Sequence, residues 1–249
     1  CDAVLQIFAD AGAKGTFFTL GWVAERYPAL IKRIVAAGHE LASHGYDHQR
    51  VFNMTADSFA ADLKKTQVIL EDLGGVRIRG YRAPSFSVDT RTPWAHAVLA
   101  EQGYAYSSSV APVVHDHYGW AQSPRHAWQP LPDSALIEWP VTTARFAGRT
   151  LAAGGGGFMR LLPYGFTRWA IERMNREGHP AILYFHPWEI DPGQPRVADA
   201  PLRSKVRHYT GLSAMAGKLK KLLDDFEWTR ADALLAAQQE RARPWRAAA

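Results

Sequence analysis

Apolar residues recur along this chain in two rhythms. Val4, Leu5 and Phe8 stand three and four apart, as one face of a helix requires, and Gly12 can take the left-handed position that ends it. "GTFFTLGW" is a near-continuous apolar run and predicts a buried strand. "VAERYPALIKRIVAAG" returns to helical spacing, with Val23, Tyr27, Leu30, Ile31, Ile34 and Val35 on one face and Gly38 closing it. A short strand, "HELAS", follows. A second amphipathic helix is expected from about Thr55 to Leu73, turning Phe59, Leu63, Ile69 and Leu70 inward. Thr55 is a natural N-cap, and Asp57 suits the positive end of the helix dipole. "VRIRGYRAPS" reads as a strand, "WAHAVLAEQG" as a helix and "YAYSSSV" as a strand. Alternation of this kind implies a parallel sheet, open or closed into a barrel.

From about Ala111 to Tyr164 the pattern loosens, with one clear strand, "ALIEWPVTT". It returns with a helix near Tyr164 to Glu177 and a strong strand, "PAILYFH". A basic, proline-punctuated segment then leads to a helix built on Met215, Leu219, Leu222, Leu223 and Phe226, and "QQERARPWRAAA" reads as a fraying tail. There is no internal repeat. The alternation starts on a helix, so the strand that should precede it is expected to be lacking.

With 249 residues and 47% hydrophobic composition the chain can bury one large domain, with or without an appendage. No apolar run reaches the 18 residues a membrane span needs. The formal charge of +5 is spread among acidic residues, which describes a mixed solvated surface and gives no support for nucleic-acid binding. A single cysteine, Cys1, excludes an internal disulfide and a thiolate metal cluster. No signal peptide is visible, and bacterial cytoplasm and periplasm both stay open. Nothing in the pattern speaks to oligomeric state.

Chemistry gathers where the expected strands end, the side of parallel α/β folds that carries function. The ends offer His44 with His48, Arg82 with Pro84, Ser107 to Ser109, and His186. Two imidazoles at i and i+4 can share one metal ion, though either could instead bond locally. His186 closes an apolar strand ahead of Pro187 and suits a general acid, with a hydrogen-bonded core histidine as the plain reading. Arg82 could orient a carboxylate or bind substrate oxygens, or form an ordinary ion pair. "GGGG" at Gly154 to Gly157 lacks the lysine of a phosphate loop and reads as a flexible loop. "HDHYGW", His115 to Trp120, favours substrate contact over a second metal site.

Taken together, "TFFTLGWVAERYP", "GHELASHGYDH", "RGYRAPSFS" and "YFHPWEIDPGQPR" resemble the NodB-like polysaccharide deacetylases, carbohydrate esterase family 4. The resemblance implies a distorted (β/α) barrel of fewer than eight strands, here lacking its first strand. Residues 1–190 would be the N-terminally incomplete catalytic domain. Residues 191–249 would be a C-terminal extension like that of exopolysaccharide-locus deacetylases linked to exosortase systems. It implies His44 and His48 as ligands of zinc or another divalent metal, His186 as catalytic acid, and Arg82 as the residue positioning the base. Tyr46, Pro84, Ser85, Tyr118 and Trp188 are expected to line the site for an N-acetylated polysaccharide.

In that family the third ligand and the base are acidic residues of the first strand, and Asp2 lies too late to be either. Ser107 also stands where relatives often carry an aspartate. The 249-residue chain is therefore expected to bind zinc weakly and to release no acetate by itself. Two alternatives remain: a degenerate relative that only binds glycan, and a cyclic-amide hydrolase of the allantoinase type.

Overall fold

The computed structural model describes residues 1–114 and 118–245. In chain order the elements are α1 (Asp2–Asp10), β1 (Thr16–Thr19), α2 (Gly21–Arg26), α3 (Pro28–Ala36), β2 (Glu40–Ser43), α4 (Ala56–Gly74), β3 (Gly80–Tyr81), α5 (Ala95–Glu101) and β4 (Tyr106–Ser107). They continue with β5 (Ile137–Glu138), β6 (Thr143–Phe146), β7 (Arg149–Ala152), α6 (Gly156–Leu161), α7 (Tyr164–Arg176), α8 (Leu202–Tyr209), α9 (Leu212–Asp225) and α10 (Ala231–Arg241). Two compact units result: Lys14–Pro140 with the chain from Thr229 on, and Cys1–Ala13 with Val141–Trp228.

The first unit holds five strands in the order β1-β2-β3-β4-β5, every neighbouring pair parallel. Helices return the chain between the first four, as the alternation requires. Helix α4 supplies much of the packing, burying Phe59, Leu63 and Leu70 in one cluster with Leu41, Ile78, Tyr81 and Leu99. Its start follows the sequence: Thr55 caps the Ser58 N–H and the Ser58 hydroxyl returns to the Thr55 N–H. The single helix expected from Val23 to Gly38 is two, because Pro28 opens α3 and its ring holds Tyr27 out of helical geometry. That break leaves Tyr27, expected inward, exposed.

At the start of β2, Glu40 is buried and accepts from the Tyr106 hydroxyl at 2.8 Å, the Thr16 hydroxyl at 2.6 Å and the Asp232 N–H at 3.0 Å. Burial raises its carboxyl above the usual range, and the hydrogen bonds from Thr16 and Tyr106 work against that rise. The Asp232 bond ties α10 to the sheet. Beyond α10, residues 242–245 pack onto the unit: Gln129 and Pro244 form a bridge, and Trp245 packs edge-on against Trp120 and Trp128, while the rest of the expected tail lies outside the described residues. The apolar area of one indole outweighs the weak helical pattern that suggested a loose tail.

The second unit is built on α9, whose Met215, Leu219 and Leu222 meet Ile7 of α1, Met159 of α6 and Ile171 of α7. Lys218 of α9 donates to the carbonyls of Met159, Arg160 and Leu162, satisfying the end of α6. Strands β6 and β7 form an antiparallel hairpin turned by Ala147 and Gly148, both at positive φ, which the loosened sequence pattern concealed. The strong strand expected at "PAILYFH" is only an extended segment with one bridge, Gly155 to Tyr184. Its hydrogen bonds go to Thr142 and to Gly154 and Gly156, two short stretches that leave no continuous ladder. Among the described residues, no helix is long and apolar enough to cross a membrane.

Candidate active site

His44 and His48 lie in the loop that leaves β2. The loop is fixed at both ends: the Gly45 and Tyr46 carbonyls accept the Gly21 and Trp22 N–H groups at 3.0 Å each, where α2 begins. The Tyr46 N–H is held by Asp62 of α4 at 3.1 Å. Burial raises the Asp62 carboxyl, with the Tyr46 N–H opposing. His48 itself sits at φ 67°, a region a side chain occupies only when its surroundings enforce it. The two imidazole rings come together, with centroids 5.2 Å apart and planes at 72°.

The protonation of His44 can be read from its partner. Nδ1 lies 2.7 Å from the Arg82 carbonyl oxygen, which only accepts, so Nδ1 carries a hydrogen, and in the neutral imidazole the lone pair is then on Nε2. A metal-ligating imidazole is oriented in this way by its far nitrogen. His44 could therefore hold a divalent cation through Nε2, with the His48 ring beside it as the second candidate donor. Among the described residues, no group of three or more histidine, cysteine or acidic side chains could complete such a site.

Arg82, at the end of β3, is buried, and its guanidinium carbon lies 4.2 Å from the Phe18 ring centroid and 5.7 Å from that of Phe86. Nε donates to the Ser108 carbonyl at 3.0 Å and Nη2 to the Ser108 hydroxyl at 2.8 Å. Ser108 is held in turn, because the next two N–H groups, of Ser109 and Val110, donate to the buried Glu138 carboxylate at 2.7 and 2.8 Å. The other Glu138 oxygen accepts from His96 Nε2 at 3.1 Å. Ser107 contributes by donating to the Ser109 hydroxyl at 2.8 Å, and that hydroxyl accepts the Ala83 N–H at 2.9 Å.

The loop after Arg82 is strained, with Ser85 at φ 57° and Phe86 at φ 50°. Its Ser87 hydroxyl accepts the Val51 N–H at 2.9 Å, tying it to the histidine loop. Pro84 is buried, Ser85 half-buried, and the Tyr118 ring packs 5.8 Å from Phe86. Tyr46 is committed locally: its hydroxyl donates to Glu25 at 2.8 Å and Lys65 Nζ sits 3.2 Å from its ring centroid. His115, Asp116 and His117 lie outside the described residues.

His186 and Trp188 belong to the other unit. His186 Nδ1 is 2.9 Å from Glu189 Oε1, which also accepts the His186 N–H at 3.2 Å. Pro187 opens the short 3-10 turn that folds Glu189 back, and the buried Arg160 donates from Nε to Glu189 Oε2 at 2.9 Å. Trp188 stacks on His208 at 4.1 Å and, more loosely, on His186 at 5.8 Å. Sequence reasoning overlooked Glu189 and Arg160. The available signal was a glutamate three positions after His186, the spacing of a capping box.

In the glycine run expected to be a flexible loop, Gly154, Gly155 and Gly156 are instead packed closely, while Gly157 faces open space. A Cβ on Gly154 would come within 2.5 Å of the Ile182 carbonyl oxygen, and one on Gly156 within 2.5 Å of Glu189 Oε2. Gly156→Ala is therefore expected to displace the Glu189 carboxylate and cost about 1–3 kcal/mol, read as a lowered urea midpoint with an unchanged slope.

Comparison with known proteins adds a family to this geometry. Residues 1–107 match the polysaccharide deacetylase family, and residues 108–236 match a domain of unknown function, DUF3473. The chain belongs to the DUF3473 family, whose model matches more than half of it, and its first 107 residues carry the polysaccharide deacetylase match. Among curated relatives it is 32% identical over 107 residues to the peptidoglycan deacetylase of Helicobacter pylori, covering 43% of this chain and 36% of that protein. The chain thus spans about a third of the length of that deacetylase.

Among solved structures, one assigned to the polysaccharide deacetylases from Mycobacterium smegmatis superposes with a TM-score of 0.68 at 23% identity, covering all of this chain and 80% of that one. The Puue allantoinase gives 0.65 at 18% identity, covering 98% and 73%. At these identities the likeness is one of fold, the distorted (β/α) barrel with its parallel sheet. His44, His48, Arg82, Pro84 and Ser85 fall within the deacetylase match, and His186 with Trp188 within the DUF3473 match.

Proposed function

We propose that this deacetylase relative removes N-acetyl groups from the amino sugars of a polysaccharide, with His44 and His48 holding a divalent metal and His186 acting as general acid. The observation that carries this reading is the His44–His48 pair, its first ring fixed by the Arg82 carbonyl so that Nε2 presents a lone pair. A divalent cation there would supply Lewis acidity toward the amide carbonyl and the attacking water. His186 gives a proton to the departing amine, without which the amide nitrogen is too basic to leave. Arg82 acts twice: its side chain fixes the Ser108 segment and its backbone carbonyl orients His44. Trp188 and Tyr118 offer aromatic faces suited to sugar rings.

Since no third ligand accompanies the pair among the described residues, the test compares two proteins. One is the 249-residue chain. The other carries an added N-terminal strand with paired acidic residues, as the family resemblance implies. Each is supplied with zinc and N-acetylglucosamine oligomers, and acetate is measured. Release is expected from the second alone, with His44→Ala and His48→Ala each abolishing it and lowering zinc retention on dialysis. Turnover of allantoin in place of acetate release would move the reading to cyclic amides. Robust release by the 249-residue chain would assign the base to another carboxylate, with Asp47 or Asp116 tested first.

A further inference from the structure

We propose that Glu189, clamped by Arg160, is the positioning residue that holds His186 in its Nδ1–H form and so makes Nε2 the nitrogen through which protons pass. This rests on the reading of His186 as general acid.

The argument starts from what a carboxylate can do. An ionised glutamate only accepts, so each of its neighbours must donate. Glu189 Oε1 faces the His186 N–H and Nδ1, and Oε2 faces Arg160 Nε. Burial would raise the Glu189 carboxyl, but hydrogen bonds from His186 and Arg160 outweigh that and hold it below the usual carboxylate range. It stays ionised, and Nδ1 must carry a hydrogen.

Arg160 is itself held at all three of its side-chain nitrogens. Its Nη1 donates to the carbonyls of His208 and Thr210, and Nη2 to that of Arg207. The clamp is therefore rigid at the end away from the imidazole. The two ends of the pair also differ in wetness: the His186 side chain is 50% exposed and that of Glu189 only 3%. A dry carboxylate behind Nδ1 and an open ring in front give the imidazole a direction. Stacking of Trp188 between His186 and His208 limits rotation of the ring. Gly156 lets the backbone come close enough to seat the carboxylate.

A merely structural Glu189 would cap the turn and neutralise Arg160 without governing which nitrogen of His186 is protonated. Glu189→Gln separates the two roles. A carboxamide has one oxygen, and the charged Arg160 donor claims it. The NH2 group then faces the His186 N–H, which loses its acceptor, and Nδ1, which must accept, so the neutral ring moves its hydrogen to Nε2. General-acid function needs that site to cycle, so a ring locked the wrong way loses turnover with little change in substrate binding.

The test is a long-range 1H–15N correlation spectrum of the 15N-histidine protein at alkaline pH, with His186 assigned by its loss in His186→Ala. The wild type is expected to show a protonated Nδ1 and a bare Nε2, and Glu189→Gln the reverse. A wild-type ring protonated on Nε2 would overturn the proposal, as would a Glu189→Gln spectrum with the wild-type pattern. If Glu189→Gln does not fold, the wild-type spectrum still decides. In the acetate-releasing protein, Glu189→Gln should lower kcat on the order of 10²-fold or more with KM within about twofold. The spectrum needs no substrate, so the two ideas fail separately. An Nδ1–H ring with full activity in His186→Ala sinks the general-acid reading and leaves the orienting contact standing.

Discussion

Replacing Glu138 by alanine is expected to lower the unfolding free energy by about 3–5 kcal/mol, because one cut strips the acceptor from three buried donors. Those donors are the Ser109 and Val110 N–H groups and His96 Nε2, all within 3.1 Å of the carboxylate. No water can replace the acceptor cheaply where Glu138 is wholly buried and His96 nearly so. Glu138→Gln keeps an oxygen for the two backbone groups and should cost less than half as much. Urea unfolding of the three proteins, compared at equal slope, gives the answer. A Glu138→Ala protein within about 1 kcal/mol of wild type would mean the segment relaxes and finds other partners.

His186→Ala is expected to lower kcat for acetate release by about 10²–10⁴-fold, with KM nearly unchanged, in the protein carrying the acidic strand. The loss should depend on the leaving group. An amine must be protonated to depart, whereas the phenolate of an aryl acetate leaves without help. Aryl acetate hydrolysis should therefore survive the substitution largely intact. Equal losses on both substrates would show that His186 holds the site together and does not transfer the proton. An unchanged rate on the amide would remove it from the reaction altogether.

Much of the local architecture was legible before folding. Helix α4 starts where Thr55 and Asp57 place it, since a cap and a dipole partner act within one turn. The four-residue spacing of His44 and His48 already brought the two rings within reach of each other, because a tight turn converts spacing into proximity. Pro28, by contrast, was in plain view and still misread. Six apolar positions fit one helical face, and the geometry forced on Tyr27 by the following proline overrode that periodicity.

The chain by itself determined the alternating α/β order of its first half, the start of α4 and the pair of imidazoles that follows β2. Those features depend on near neighbours, which propensity and spacing encode. Only the tertiary structure decided which polar groups meet. Glu138 reaches Val110 across 28 residues and His96 across 42. Arg160 reaches Glu189 across 29 and the carbonyls near Thr210 across 50. The same holds for Gly154 and Gly156, which read as flexible because glycine permits many conformations; they are packed because Thr142, Ile182 and Glu189 close on them from elsewhere in the chain. A buried charge must find a partner wherever the fold provides one, and no local rule in the sequence names that partner.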